Sequence, residues 1–70
     1  MTESSTITLN GAAHPLDAAV SIERLLESLG FAGKPVVVEL NEQAVFPRDY
    51  PNAIVEPGAR VEIVALAAGG

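Results

Sequence analysis

Ile22, Leu25, Leu26 and Leu29 fall at i, i+3, i+4 and i+7, which lays a single apolar stripe along an α-helix. Ser21 before the stripe reads as the N-cap, and Glu23 in the first turn complements the helix dipole. Gly30 stands where the C′ residue belongs, so the spacing predicts a helix of about two to three turns. The other apolar stretches are short and strand-like. One helix cannot cover both faces of a sheet, so it is predicted to pack across one face only.

The strands read from their punctuation. Thr6-Ile7-Thr8-Leu9 alternates polar and apolar residues, as a strand with one buried face does. Asn10-Gly11 follows, the dipeptide best suited to a type I′ hairpin, where both central residues need positive φ. Ala12 to Leu16 returns as a second strand, kept short or at an edge by Pro15, which has no N–H for a ladder. Val36-Val37-Val38-Glu39-Leu40 is β-branched and predicts a central strand. Asn41-Glu42 turns the chain into a brief strand from Gln43 to Phe46, and Pro47 to Pro51 forms a loop or one helical turn. Glu56-Pro57-Gly58-Ala59 fits a type II turn ahead of a last strand, Arg60 to Leu66. Hairpin, helix, strand, short irregular connection and final strand is the order of the β-grasp fold. The expected class is α+β, a mixed four- to five-stranded sheet with one helix across one face. Residues 1–66 are expected to form the domain and residues 67–70 a flexible C-terminal tail.

Seventy residues make one domain, and a chain of this size buries only about 60% of its unfolded surface. There are no cysteines and no cluster of metal ligands to staple it, so an aliphatic core must suffice. Such a core leaves no deep pocket of cofactor size, which argues against an enzyme acting alone. Nine acidic residues against four basic ones give a net charge of −5, which disfavours nucleic acid. The same charge can steer the chain towards a basic patch on a protein partner. Met1-Thr-Glu-Ser-Ser has no secretory pattern, and the apolar run Ile63 to Ala68 is too short to span a bilayer. The expectation is a cytoplasmic chain with no membrane contact.

The sequence closes on Ala67-Ala68-Gly69-Gly70. Without a Cβ, a Gly-Gly end is thin, adopts any backbone angle and leaves the terminal carboxylate unhindered. That carboxyl titrates near ~3.5, so at neutral pH it is an anion able to attack an activated phosphate. The tail therefore suits a protein whose own C-terminus is the reacting group, although small residues also gather at frayed ends.

Other groups carry little chemistry. His14 is the sole histidine, and with no cysteine it reads as a solvated loop residue rather than a metal ligand. Glu23 and Glu27, at i and i+4, read as two solvated like charges rather than an acid–base pair. The serines at 4, 5, 21 and 28 have no neighbouring base, and Gly11, Gly30, Gly33 and Gly58 are scattered turn residues with no phosphate-cradling pattern. No catalytic, cofactor-binding or metal-binding residue is assigned.

With these residues in view, the chain from Ile7 to Gly70 resembles the ubiquitin-like sulfur carriers, and most closely the thiamine-biosynthesis sulfur carrier family (ThiS-like). Beyond the tail, the resemblance rests on Val38-Glu39-Leu40-Asn41-Glu42, on Val45-Phe46-Pro47-Arg48-Asp49-Tyr50, and on the turn and strand from Glu56 to Ile63. Phe46 reads as an extra residue before the Pro47-Arg48 step, and no role is carried onto Arg48. The resemblance implies a carrier cycle. A partner related to ubiquitin-activating enzymes would adenylate the Gly70 carboxylate with ATP and magnesium, and a persulfide donor would convert it to a thiocarboxylate. Thiazole synthase would take the sulfur. The chain itself would bind no cofactor and act as a macromolecular substrate, with Gly69, Ala68 and Ala67 keeping the tail narrow enough to thread into the partner. Two other readings stand beside this one: a small sulfur-carrying subunit of molybdopterin synthase, and a β-grasp binding module with an idle tail.

The last strand adds a hint. If Val61, Ile63 and Ala65 point to the core, Val64 and Leu66 point to the other face. Exposed there, they would form a docking patch for the activating enzyme, unless the first strand or a loop covers them.

Overall fold

The computed structural model describes residues 5–66. The first hairpin joins β1 (Thr6–Leu9) to β2 (Ala12–Pro15) through Asn10 and Gly11, at φ 51° and 84°. Both are left-handed, as a two-residue turn of this type needs. Pro15 ends β2 at the edge of the sheet, where its missing N–H costs no ladder bond.

A two-residue strand, β3 (Val20–Ser21), leads into α1 (Ile22–Ser28). The Ser21 hydroxyl accepts the Arg24 N–H at 3.1 Å, so the predicted N-cap holds. Ile22, Leu25 and Leu26 are buried, and Gly30 takes φ 85° just past the Leu29 cap. Seven residues make about two turns. After β4 (Val36–Leu40) and β5 (Gln43–Val45) comes a 3-10 turn over Pro47–Asp49, then β6 (Ile54–Val55) and β7 (Arg60–Ala65). The Ala59 N–H donates to the Glu56 carbonyl at 3.0 Å with Gly58 at φ 91°, which is the expected type II turn.

Five strands form one sheet in the order β2-β1-β7-β4-β5. β1 and β7 run parallel and every other neighbouring pair is antiparallel, so the sheet is mixed. The helix covers one face. Its Ile22, Leu25 and Leu26 meet Ile7, Val38, Val61 and Ile63 from β1, β4 and β7 in one cluster. Ile7, Ile22, Val38, Val55 and Val61 are at most 1% exposed, and each buried side chain of this size contributes about 1.5–3 kcal/mol.

Two expectations need correction. β3 and β6 pair as a small second sheet, Val20 against Val55 and Ser21 against Ile54, where an irregular connection was expected. Bridges of two residues carry no periodicity to read. Ala65, expected to point to the core with Val61 and Ile63, is exposed at the last position of β7. The strand also stops at Ala65, and the Leu66 N–H instead donates to the Pro35 carbonyl at 2.9 Å.

Candidate functional site

The predicted reacting end, Gly69 and Gly70 with Ala67 and Ala68, lies outside the described residues. What the structure fixes is the strand that leads to it. β7 is the middle strand of five and is clamped on both sides. At its start, the Arg60 N–H donates to Asn41 Oδ1 at 2.9 Å and the Asn41 N–H donates to the Arg60 carbonyl at 2.7 Å. Further along, Asn10 Nδ2 donates to the Ile63 carbonyl at 3.1 Å, while the Ile63 N–H donates to Asn10 Oδ1 at 2.8 Å. Both asparagines sit in hairpin turns, at φ 51° each.

Alternation along this fixed strand decides which side chains turn outward. Val61 and Ile63 face the helix and are buried, whereas Val64 is 57% and Leu66 50% exposed. Neither the first strand nor a loop covers them, so both residues proposed for docking are available. The sheet brings two further apolar residues to the same place. Val37, 46% exposed, stands directly opposite Val64. Val45 pairs with Val38, so Phe46 follows at the level of Val37, with extended backbone (φ −89°, ψ 154°) and 57% of the residue exposed. Four of the five large exposed hydrophobic residues among those described thus converge on the outer face, at the end where β7 runs out. The sequence reading missed Val37 and Phe46. Val37 was legible: if Val38 turns inward, its neighbour turns outward.

Charges border this strip. The Arg48 guanidinium carbon lies 5.7 Å from the centre of the Phe46 ring, within cation–π range. Arg48 also approaches Asp49 at 4.0 Å, a contact too exposed to stabilise the fold much. On the other side Glu39 stands opposite Glu62, one cross-strand step from Val37 and Val64.

Of the remaining candidates, His14 lies away from this end of the sheet, whereas Glu23 and Glu27 border a groove that reaches it through Pro35, Val36 and Pro47. His14 is not in a loop but in β2, opposite Ile7 and half-buried. Glu23 and Glu27 are exposed on α1, at the lip of a groove of about 310 Å³ floored by Leu26, Phe31 and Tyr50. The groove opens to solvent and gathers no nucleophile with its base. Among the described residues no three His, Asp or Glu side chains converge on a metal position, and no helix is long and apolar enough to cross a membrane.

Comparison with known proteins decides the family. The model of the ThiS family matches residues 7–70. The chain belongs to the ThiS family. A sulfur carrier protein ThiS from Thermus thermophilus is 38% identical over 64 residues, a match covering 91% of this chain and 98% of that protein. Two thiazole synthases, from Magnetococcus marinus and Paramagnetospirillum magneticum, are 36% and 34% identical over 64 residues, yet the chain spans only 20% of the length of each. The crystal structure of a thiamine biosynthesis protein (ThiS) from Geobacter metallireducens superimposes with a TM-score of 0.80 at 28% identity, over 93% of this chain and 99% of that one. A solution structure of a thiamine biosynthesis protein from the same organism gives 0.77 at 28% identity, over 93% and 87%. The mixed five-stranded sheet with one helix found here thus matches the fold of these Geobacter structures.

Proposed function

We propose that this chain is a sulfur carrier of thiamine biosynthesis that works through the carboxylate of Gly70. The observation that carries the reading is the family match running through Gly70, on a fold whose last strand ends beside an uncovered apolar strip. In the first step a carboxylate oxygen of Gly70 attacks the α-phosphate of ATP in an adenylating partner, and pyrophosphate leaves. The terminal sulfur of a persulfide then attacks the acyl carbon and displaces AMP, giving an acyl disulfide. A thiol cleaves the S–S bond and leaves the thiocarboxylate, whose sulfur is passed on to the forming thiazole.

Each residue has a physical part in this cycle. Gly69 and Gly70 present no side chain to the walls of a narrow active site, and Ala67 and Ala68 add only methyl groups. Four residues reach at most about 14 Å beyond Leu66, so a partner must seat itself close to the end of β7. Val64 and Leu66, joined by Val37 and Phe46, offer apolar surface at that distance. The chain contributes no acid, base or metal; ATP and magnesium belong to the partner. Thiazole synthase is the proposed acceptor, supported by the two thiazole synthases that carry a ThiS-like stretch in a fifth of their length. The cytoplasm, which holds both ATP and thiols, is the compartment this cycle needs.

The adenylation step is open to direct assay. With the adenylating enzyme, ATP and magnesium, the chain should support exchange of labelled pyrophosphate into ATP, and removal of Gly70 should abolish it. Equal exchange without Gly70 would contradict the reading.

A further inference from the structure

Of the three asparagines, Asn10 alone precedes a glycine; Asn41 is followed by Glu42 and Asn52 by Ala53. The carboxamide of an asparagine can be attacked by the backbone nitrogen of the next residue, and a side chain on that residue hinders the approach. Gly11 has none, and it is exposed, so water and hydroxide reach its N–H. The first hairpin turn therefore holds the least hindered junction of this kind in the chain. The fold occupies the same carboxamide. Its Nδ2 donates to the Ile63 carbonyl at 3.1 Å, and its Oδ1 accepts the Ile63 N–H at 2.8 Å. Attack by Gly11 makes Cγ tetrahedral and swings it onto the neighbouring nitrogen, a movement that the two bonds to Ile63 cannot both survive.

We propose that Asn10-Gly11 is a site of spontaneous deamidation that the fold holds shut through Ile63, and that conversion proceeds from chains in which the turn has parted from the middle of β7. Hydroxide takes the Gly11 amide proton, and the nitrogen attacks Asn10 Cγ. The Cγ–Nδ2 bond breaks, ammonia leaves with a proton from water, and a five-membered succinimide remains. Water then opens the ring at either carbonyl, giving aspartate or isoaspartate; nothing is oxidised or reduced. Opening is local: β1 and β7 pair over two residues, and a junction this short opens at a free energy below that of global unfolding. Reclosing is what the products resist. Aspartate presents a carboxylate oxygen to the Ile63 carbonyl where Nδ2 had donated, so two acceptors face each other. Isoaspartate routes the backbone through Cγ, which adds one carbon to the turn that sets Leu9 opposite Ala12. In both products the stretch of β7 leading to Val64 and Leu66 loses its clamp.

The full chain is incubated at mildly alkaline pH, in native buffer and in urea sufficient to unfold it. No partner protein is involved, so the result is independent of the sulfur-carrier reading. Cleavage after Arg24, Arg48 and Arg60 puts Asn10, Asn41 and Asn52 on separate peptides, and mass spectrometry follows the exchange of amide for carboxyl on each. In urea, Asn10 should convert at least about tenfold faster than Asn41 or Asn52. In native buffer, conversion at Asn10 should be at least about tenfold slower than in urea. Asn10→Asp, which stands for one product, should unfold at a lower urea concentration than the unchanged chain. A rate at Asn10 no faster than at Asn41 in urea would overturn the site. Equal rates at Asn10 in the folded and unfolded chains would overturn its shielding by Ile63, and an unaltered urea midpoint for Asn10→Asp would overturn the release of β7.

Discussion

The side-chain amide of Asn10 is joined to the backbone of Ile63, 53 residues away, by two hydrogen bonds of 3.1 and 2.8 Å. Backbone N–H groups along β1 and its turn already donate to the facing chain, from Thr8 to Ala59 just before β7 and from Asn10 to Val61 within it, both at 2.9 Å. Where the chain turns away at Gly11, the Asn10 amide takes the place of the next peptide group and carries the parallel ladder one step further, to Ile63. That step fixes the stretch of β7 from which Val64 and Leu66 project.

Replacing Asn10 separates two effects. Asn10→Gly keeps the positive φ but loses both hydrogen bonds, and should cost about 1–2 kcal/mol in urea unfolding. Asn10→Ala adds left-handed strain of about 1 kcal/mol and should be the less stable of the two. Equal stability of both variants and the unchanged chain would mean that the Ile63 contact contributes nothing.

Ile22 opens the helix and is fully buried against the sheet. Ile22→Ala should destabilise by about 2–5 kcal/mol and Ile22→Val by about 0.5–1.5, in proportion to the volume removed. In a chain this short the first change approaches the whole stability. Denaturant midpoints falling by similar amounts for both variants would show that the helix does not close the core as described.

Val64 and Leu66 should behave in the opposite way. Because both are half-exposed or more, Val64→Ser and Leu66→Ser should change stability by no more than about 0.5 kcal/mol. Their effect should appear in association with the adenylating enzyme, as a loss of about 10- to 100-fold in affinity by calorimetry. Unchanged affinity in both would place docking elsewhere.

Width at the tail is a separate requirement. Gly69→Leu should leave the melting temperature unaltered and stop adenylation, since the added side chain must enter the partner's active site with the carboxylate. Normal adenylation by this variant would show that the glycines are not there to make the end thin.

How far the sequence could be read depended on how local each signal was. Asn10-Gly11, the Ser21 cap, the helix stripe and the Glu56-to-Ala59 turn are each fixed by neighbouring residues, and each stands where expected. Asn41-Glu42 was legible as a turn but not as a second left-handed pair, because Glu42 at φ 69° is an unusual residue for that conformation. The links of Asn10 to Ile63 and of Asn41 to Arg60 were hidden, since they join turns to a strand far along the chain. The same holds for the β3–β6 pairing. Val64 and Leu66 were found by alternation within one strand, whereas Phe46 joined them only once the pairing of Val45 with Val38 set its level.

The central claim is that Gly70 carries the sulfur, and intact-mass spectrometry addresses it most directly. The purified chain would be incubated with the adenylating enzyme, ATP, magnesium, a persulfide donor and a thiol, beside a chain lacking Gly70. A mass gain equal to exchanging one oxygen for one sulfur, present only when Gly70 is present, is the predicted result. An unchanged mass in the presence of demonstrably active partners would contradict the account.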